Sequence, residues 1–432
     1  MPQALIESLD QEGQGVCHAD GKAVFVEGAL TGERVEYEVY RAKPRYARAR
    51  VTRVIEASAQ RVVPRCPHFG VCGGCSMQHL DASAQVAVKQ RVLEDALAHV
   101  GGVAAAVIHP PVQGTPWRYR ERARLTVRKV DSKGGVLIGF HQRRSSHVAD
   151  MAACDILPAH VSGIVPALHE LVAALSIADR VPQIEVAIGG GETALVFRVL
   201  SPPSAADEDL LRRFARSRRL QVWLQPATPA TAFRLCPVDA PALGHSIPEF
   251  DLQLQFRPTD FVQVNEAANR LLIRCAMRLL DPCPEDRIAD LFCGFGNFSL
   301  PMARRGARVI GVEGNEALVE RARQNAAANG LLQQVTFHAA DLFESTPDSL
   351  AALGQLDKLL LDPPREGAIS VVKAIGRCAP RRIVYVSCNP ATLARDAAVL
   401  VHQKGYVLRA AGIVNLFSQT SHVESIALFE RC

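Results

Sequence analysis

From Phe256 onward the chain alternates short apolar runs with helical patterns, and this alternation leaves few folds open. Residues 288–292, 308–313, 335–338, 358–362 and 383–387 read as buried strands. Residues 297–305, 316–329, 369–378 and 392–404 read as the helices between them. Parallel strands joined by helical crossovers make a doubly wound α/β sheet. Two more strands, at 407–414 and 422–429, close the chain and are expected as an antiparallel edge hairpin.

In such a sheet ligands bind at the carboxyl ends of the strands. The first strand runs into Asp-Leu-Phe-Cys-Gly-Phe-Gly-Asn at 290–297, where Gly294 and Gly296 let the backbone turn and approach a ligand. One Gly-x-Gly is weak evidence, and a nicotinamide fold is the rival. Acidic residues close the following strands: Glu313 can accept both ribose hydroxyls, Asp341 can meet an adenine amine, and Asp362 precedes Pro363 and Pro364. Each carboxylate alone has a bland reading as a helix cap. Together, with no basic phosphate cradle, they favour S-adenosylmethionine over NAD or ATP.

The fifth strand stops at a thiol, Cys388, followed by Asn389 and Pro390, which break the strand before a helix. A lone cysteine is ordinarily a small core hydrophobe, the reading given to Cys236, Cys275, Cys283 and Cys378; Cys293 is expected to line the cofactor pocket without reacting. Beside a methyl donor, Cys388 suggests methylation of a pyrimidine carbon. Carbon 5 of uracil is a poor nucleophile until a thiolate adds to carbon 6, and a base must later remove the carbon 5 proton. Glu424, in Ser-His-Val-Glu at 421–424, is the candidate base, with His422 nearby.

Residues 1–58 contain five short alternating segments separated by turns, as in an OB-like barrel. Arg41, Lys43, Arg45, Arg48, Arg50 and Arg53, with Tyr46 among them, form either a solvated charged face or an RNA-binding surface. A second basic and aromatic stretch, 117–124, opens a β-rich region reaching Pro248, in which 202–209 is expected as a loop. Net charge is only +5, and no apolar run approaches the roughly 20 residues of a membrane span. With no secretory pattern at the N-terminus, a cytoplasmic, reducing location is expected, so the twelve cysteines are not read as a disulfide framework. Cys66, Cys72 and Cys75 share a Gly-rich loop and Cys154 lies further on; by spacing, four thiolates suit either zinc or an iron–sulfur cluster.

The runs Phe-Val-Gln-Val-Asn at 261–265, 290–297, Asp-Pro-Pro-Arg at 362–365, Tyr-Val-Ser-Cys-Asn-Pro at 385–390 and Thr-Ser-His-Val-Glu at 420–424 resemble those of the RNA uracil-5-methyltransferases. The N-terminal module resembles the TRAM domain, and its combination with a cysteine motif is similar to the branch that methylates a uridine of 23S ribosomal RNA. The resemblance implies that Cys388 is the nucleophile and Glu424 the base. It implies that Gln263, Phe292, Asn297, Glu313, Asp341 and Asp362 contact S-adenosylmethionine, and that Cys66, Cys72, Cys75 and Cys154 hold a 4Fe–4S cluster. It also implies a Rossmann-like methyltransferase sheet (91–119 and 251–432), a TRAM barrel (1–58) and an iron–sulfur middle domain (59–90 and 120–250), in a monomer. The sequence departs from the family pattern at Asn415 and Ser418, where Asp and Pro are usual. An amino methyltransferase is the runner-up, but Arg365 stands where an aromatic usually follows the Pro-Pro. A non-catalytic RNA-binding protein is third, and would not need Cys388 with Glu424.

Overall fold

The structure is a computed structural model that describes residues 1–130, 135–376 and 379–431. Cys378, read above as a core thiol and as the end of a helix, lies outside the described residues.

The first six strands, Gln3–Leu5 through Tyr46–Glu56, form one sheet in the order first, fifth, sixth, fourth, third, second. Alternation puts Cys17, Val24, Val26, Val35, Tyr37 and Ala49 into a common core, as period-2 patterning requires. The basic residues of the last two strands stay at the surface: Arg41, Lys43, Arg45, Arg50 and Arg53 are exposed.

The middle region is a second six-stranded sheet, running from Arg122–Val130 to Phe233–Cys236, with helices Val165–Ala174 and Ala205–Arg218 packed on it. The second helix replaces the loop expected at 202–209. The Ser204 hydroxyl accepts a hydrogen bond from the Asp207 backbone N–H and the Asp207 carboxylate accepts one from the Ser204 backbone N–H, a capping box that starts the helix directly after the prolines.

The strand and helix alternation builds the third sheet. Its strands are β1 (Arg287–Leu291), β2 (Arg308–Glu313), β3 (Val335–Ala339), β4 (Lys358–Leu361), β5 (Arg382–Ser387), β6 (Tyr406–Asn415) and β7 (Glu424–Arg431). They lie in the order β3-β2-β1-β4-β5-β7-β6, with β1 to β5 parallel and the last two antiparallel. The late hairpin is therefore not the edge. Val107–Ile108 and Val112–Gln113 pair parallel to β6 outside it. Two-residue strands carry no periodicity, so the sequence gives no sign of them. The helix Ala82–Ala96 (α1) packs its Val86 and Leu93 with Leu393 and Ala397 of Pro390–Lys404 (α2), so the boundary expected at residue 90 falls inside a helix joined to this third sheet. At the crossing, a Cβ on Gly101 would meet the Ala394 carbonyl oxygen at 2.7 Å, so only glycine permits the approach. Among the described residues no helix is long and apolar enough to cross a membrane.

Candidate active-site cleft

Strand order reverses between β1 and β4, and the crevice that opens there is the ligand position expected of such a sheet. It is one cleft of about 1170 Å³, lined from the third sheet and also from both N-terminal modules. Gln263, Phe292, Asn297, Glu313, Asp341, Asp362, Cys388 and Glu424 all line it.

At one end the β5–β7 ladder sets the geometry. Ser387 pairs with Ser425, so the next position beyond each, Cys388 and Glu424, face one another across the register. Asn389 caps α2 by accepting from the Ala391 backbone, which stops the strand at the thiol. Burial pushes Cys388 up to about 11, and the charges of Glu424 and Asp362 add to this while Arg365 opposes it. Burial, then Asp362, holds the Glu424 carboxyl well above the usual range. Burial thus favours the uncharged form of both groups. His422 sits edge-on to Phe417, ring centres 4.6 Å apart, with Nδ1 3.3 Å from an Arg365 nitrogen. Burial and then Arg365 lower it to about 4, so it is neutral.

At the other end Phe292 takes a left-handed φ of 67° and Gly296 one of 99°, turning the chain from β1 toward the helix Ser299–Arg304. The Gly294 backbone donates to Glu313 at 3.1 Å. Asn297 exchanges amide hydrogen bonds with Asn269 at 2.8 and 3.0 Å. Asp341 caps the turn Leu342–Glu344, so the bland reading of this carboxylate also holds. Phe343, whose ring centre lies 5.7 Å from that of Phe292, joins the lining and was missed from sequence because nothing in its local pattern marks it. This end is thus acidic and aromatic, while the rest of the cleft is lined by Arg120, Arg143, Arg144 and Arg365 against Glu12 and Glu27, the last paired with Arg144.

Of the stretch 117–124, only Arg120 lines the cleft. Tyr119 is buried and donates to the Ser418 carbonyl at 2.6 Å, so it cannot stack on a base. Arg122 donates to the carbonyls of Asp260 and Pro258, and Arg124 bonds to Glu185. Tyr119 and Arg122 are internal braces, and Arg124 stays exposed in a surface ion pair. Arg143 and Arg144, which the sequence reading did not single out, take their place.

The two departures at 415 and 418 have partners. The buried Lys89 amine donates to Asn415 Oδ1 at 2.7 Å and to the Phe417 carbonyl at 2.8 Å, and Asn415 donates to Ser418 Oγ at 3.2 Å. With a neutral amide opposite it, burial lowers Lys89 to about 7.

Cys66, Cys72, Cys75 and Cys154 line a second, small cavity, and Cys75 lines the main cleft as well. The Gly73 backbone donates to the His141 carbonyl at 2.8 Å, and Ser76 and Met77 both donate to the Gln419 carbonyl at 3.0 Å. The thiol loop is therefore tied to the segment that leads into Glu424. Burial pushes Cys75 to about 12 and Cys154 to about 11, with the neighbouring thiols adding to it. Four thiolates at this place need a cationic group to hold them. The ten cysteines described are all free. Cys283, expected in a core, instead donates to Asp286 at 3.1 Å.

Residues 245–432 match the tRNA (Uracil-5-)-methyltransferase family, and residues 3–52 match the TRAM domain. Over the full length of both chains, the sequence is 67% identical to a 23S rRNA (uracil(1939)-C(5))-methyltransferase RlmD of Aromatoleum aromaticum and 66% identical to one of Azoarcus sp.. The chain belongs to the RlmD family of RNA uracil-C5 methyltransferases. A solved structure, the Pyrococcus abyssi tRNA (uracil-54, C5)-methyltransferase in complex with S-adenosyl-L-homocysteine, has the same fold with a TM-score of 0.75 at 22% identity, covering 99% of this chain and all of that one. For an RNA uracil-C5 methyltransferase, the division into an acidic nucleoside end and a basic end around a thiol is chemically apt: one end suits a cationic donor, the other a polyanion.

Proposed function

We propose that the protein methylates carbon 5 of a uridine in 23S ribosomal RNA, the position matching uracil 1939 in the relatives' names, through a covalent bond to Cys388. The observation that carries this reading is the β5–β7 register, which sets a thiol opposite a carboxyl at the mouth of a cleft with one acidic and one basic end. Gln263, Phe292, Asn297, Glu313, Asp341 and Asp362 would hold the donor. When bound, S-adenosylmethionine supplies the methyl group. Cys388, having given its proton to solvent, adds as a thiolate to carbon 6 of a uracil turned out of the RNA stack, its sulfur–carbon bond forming as the ring double-bond electrons move onto carbon 5 and the carbon 4 oxygen. After methylation Glu424, acting in its ionised carboxylate form, removes the carbon 5 proton, the ring double bond reforms and the sulfur–carbon bond breaks to release the thiolate. Arg120, Arg143, Arg144 and Arg365 would meet the RNA backbone. The assignment is tested by mapping 5-methyluridine in ribosomal and transfer RNA from cells lacking the protein: loss at one site in 23S RNA is expected, and loss in transfer RNA alone would overturn the substrate.

Cys66, Cys72, Cys75 and Cys154 would hold a 4Fe–4S cluster beside this site. All four thiols line one small cavity; among the described residues the one compact set of potential ligands, with atoms within 4.8 Å, lies elsewhere. Anaerobically purified protein is expected to be brown and to contain about four irons per chain. Stoichiometric zinc in their place would sink the cluster. The protein is expected to act as a cytoplasmic monomer.

A further inference from the structure

That compact set is Glu121, His245 and Glu266, and nothing in the methyl-transfer chemistry uses it. The three come from separate pieces of the fold. Glu121 precedes the strand Arg122–Val130 of the middle sheet. His245 is central in the strand Leu243–Ile247, and Glu266 is the first residue of the helix Glu266–Leu280 (α3). One ligand atom from each lies within 4.8 Å of the other two.

His245 is 2% exposed, and neither of its ring nitrogens has a hydrogen-bond partner. A buried imidazole with both nitrogens unsatisfied is costly and calls for a ligand. Its ring is held by an edge contact to Phe256, with centres 4.7 Å apart. Each carboxylate is fixed by a backbone N–H: Glu266 donates to Glu121 Oε2 at 2.9 Å and Ser246 donates to Glu266 Oε1 at 3.2 Å. Among the described residues neither carboxylate has an ion-pair partner; the nearby Arg270 is spent on Glu249 and Arg122 on carbonyls. A carboxylate at the start of a helix has an ordinary explanation in the helix dipole. That explains Glu266 alone, and leaves a second carboxylate and an orphaned imidazole gathered round it.

We propose that Glu121, His245 and Glu266 bind a divalent first-row cation, such as manganese or zinc, distinct from the metal of the cysteine loop. One imidazole nitrogen and two carboxylate oxygens make a donor set of this class. A 2+ ion neutralises the two carboxylates and satisfies the imidazole together. The role is structural. Glu121 donates its backbone N–H to the Val264 carbonyl at 2.7 Å, and Asn265 caps α3 while donating to the Leu416 carbonyl at 3.1 Å. The ion would thus fasten the middle sheet to the segment that carries Gln263 into the cleft.

The test uses the full chain with its cysteine site loaded. Manganese is titrated and the free ion followed by electron paramagnetic resonance, with zinc measured by competition. Wild type is expected to bind one ion per chain. Glu121→Gln or His245→Gln should weaken it by about 10-fold or more, on the order of losing one ligand interaction, and the double variant Glu121→Gln/Glu266→Gln should bind none. Saturating manganese should raise the wild-type Tm by about 5 °C and leave the double variant unmoved. Unchanged iron content and circular dichroism show that the variants are folded. If wild type binds neither ion, or the folded double variant binds as tightly as wild type, the site is instead a carboxyl pair sharing a proton and the proposal is overturned.

Discussion

Replacing Cys388 with alanine is expected to lower methyl transfer by roughly 10^4-fold or more, as when a nucleophile is removed from a covalent mechanism. No remaining group can take its place. The other thiol lining the same part of the sheet, Cys293, is 3% exposed and wedged against Gly311, where even a Cβ would come within 2.9 Å of its sulfur. Asp362 and Glu424 are carboxyls, and carboxylates add poorly to an unactivated pyrimidine. The variant should also fail to capture 5-fluorouridine RNA as an adduct stable to denaturing electrophoresis. Folding should survive, because Cys388 is only partly buried and its loss leaves the β5–β7 ladder intact. The check is a single-turnover assay with labelled donor, run beside the gel assay. Activity within tenfold of wild type would remove the covalent step altogether.

Cys388 was legible in the sequence because a strand that stops at a thiol is a local pattern. So were the parallel strands: β2 starts and stops where its apolar run does, β4 and β5 differ by a single residue at one end, and β1 is displaced by one residue at both. The rest was hidden for a common reason. Lys89 meets Asn415 and Phe417 across more than half the chain, and Glu121 meets His245 and Glu266 between two sheets. Such partners are chosen by packing, and no window of sequence holds both members. The stretch 117–124 shows the opposite failure. Its basic and aromatic composition suggested a nucleic-acid surface, yet Tyr119 and Arg122 turn inward and satisfy backbone carbonyls. Composition reports which groups are available, and burial decides which of them face a ligand.

The cleft has a feature that composition could not disclose: the carboxyl proposed as base is held well above the usual carboxylate range. Burial and then Asp362 favour the protonated form of Glu424, and burial, then Glu424 and Asp362, favour that of Cys388. Each ionised group would oppose the other, so both charges are unfavourable until positive charge enters the cleft. Arg365 already acts in this direction on the thiol. Without ligands both groups are thereby biased toward their uncharged forms, the less reactive form for a thiol.

Glu424→Gln tests that arrangement at the last step. The amide fills the same space but cannot accept the carbon 5 proton, so addition and methylation should proceed while release fails. Steady-state turnover should fall by about 10^2–10^4-fold, the range expected on removing a general base. A covalent protein–RNA adduct carrying the labelled methyl group should accumulate to nearly one per chain within a single turnover, and natural uridine RNA should suffice to form it. The sign of the thiol's response is also fixed. A charged Glu424 raises the Cys388 pKa, so its replacement should let the thiol ionise at lower pH and react faster with iodoacetamide under alkaline conditions. Structural damage would instead lower adduct formation and turnover together, with no gain in thiol reactivity. Normal turnover in the variant would require a different base, and among the described cleft residues Asp362, raised to about 7 by burial, would be the next carboxyl to test.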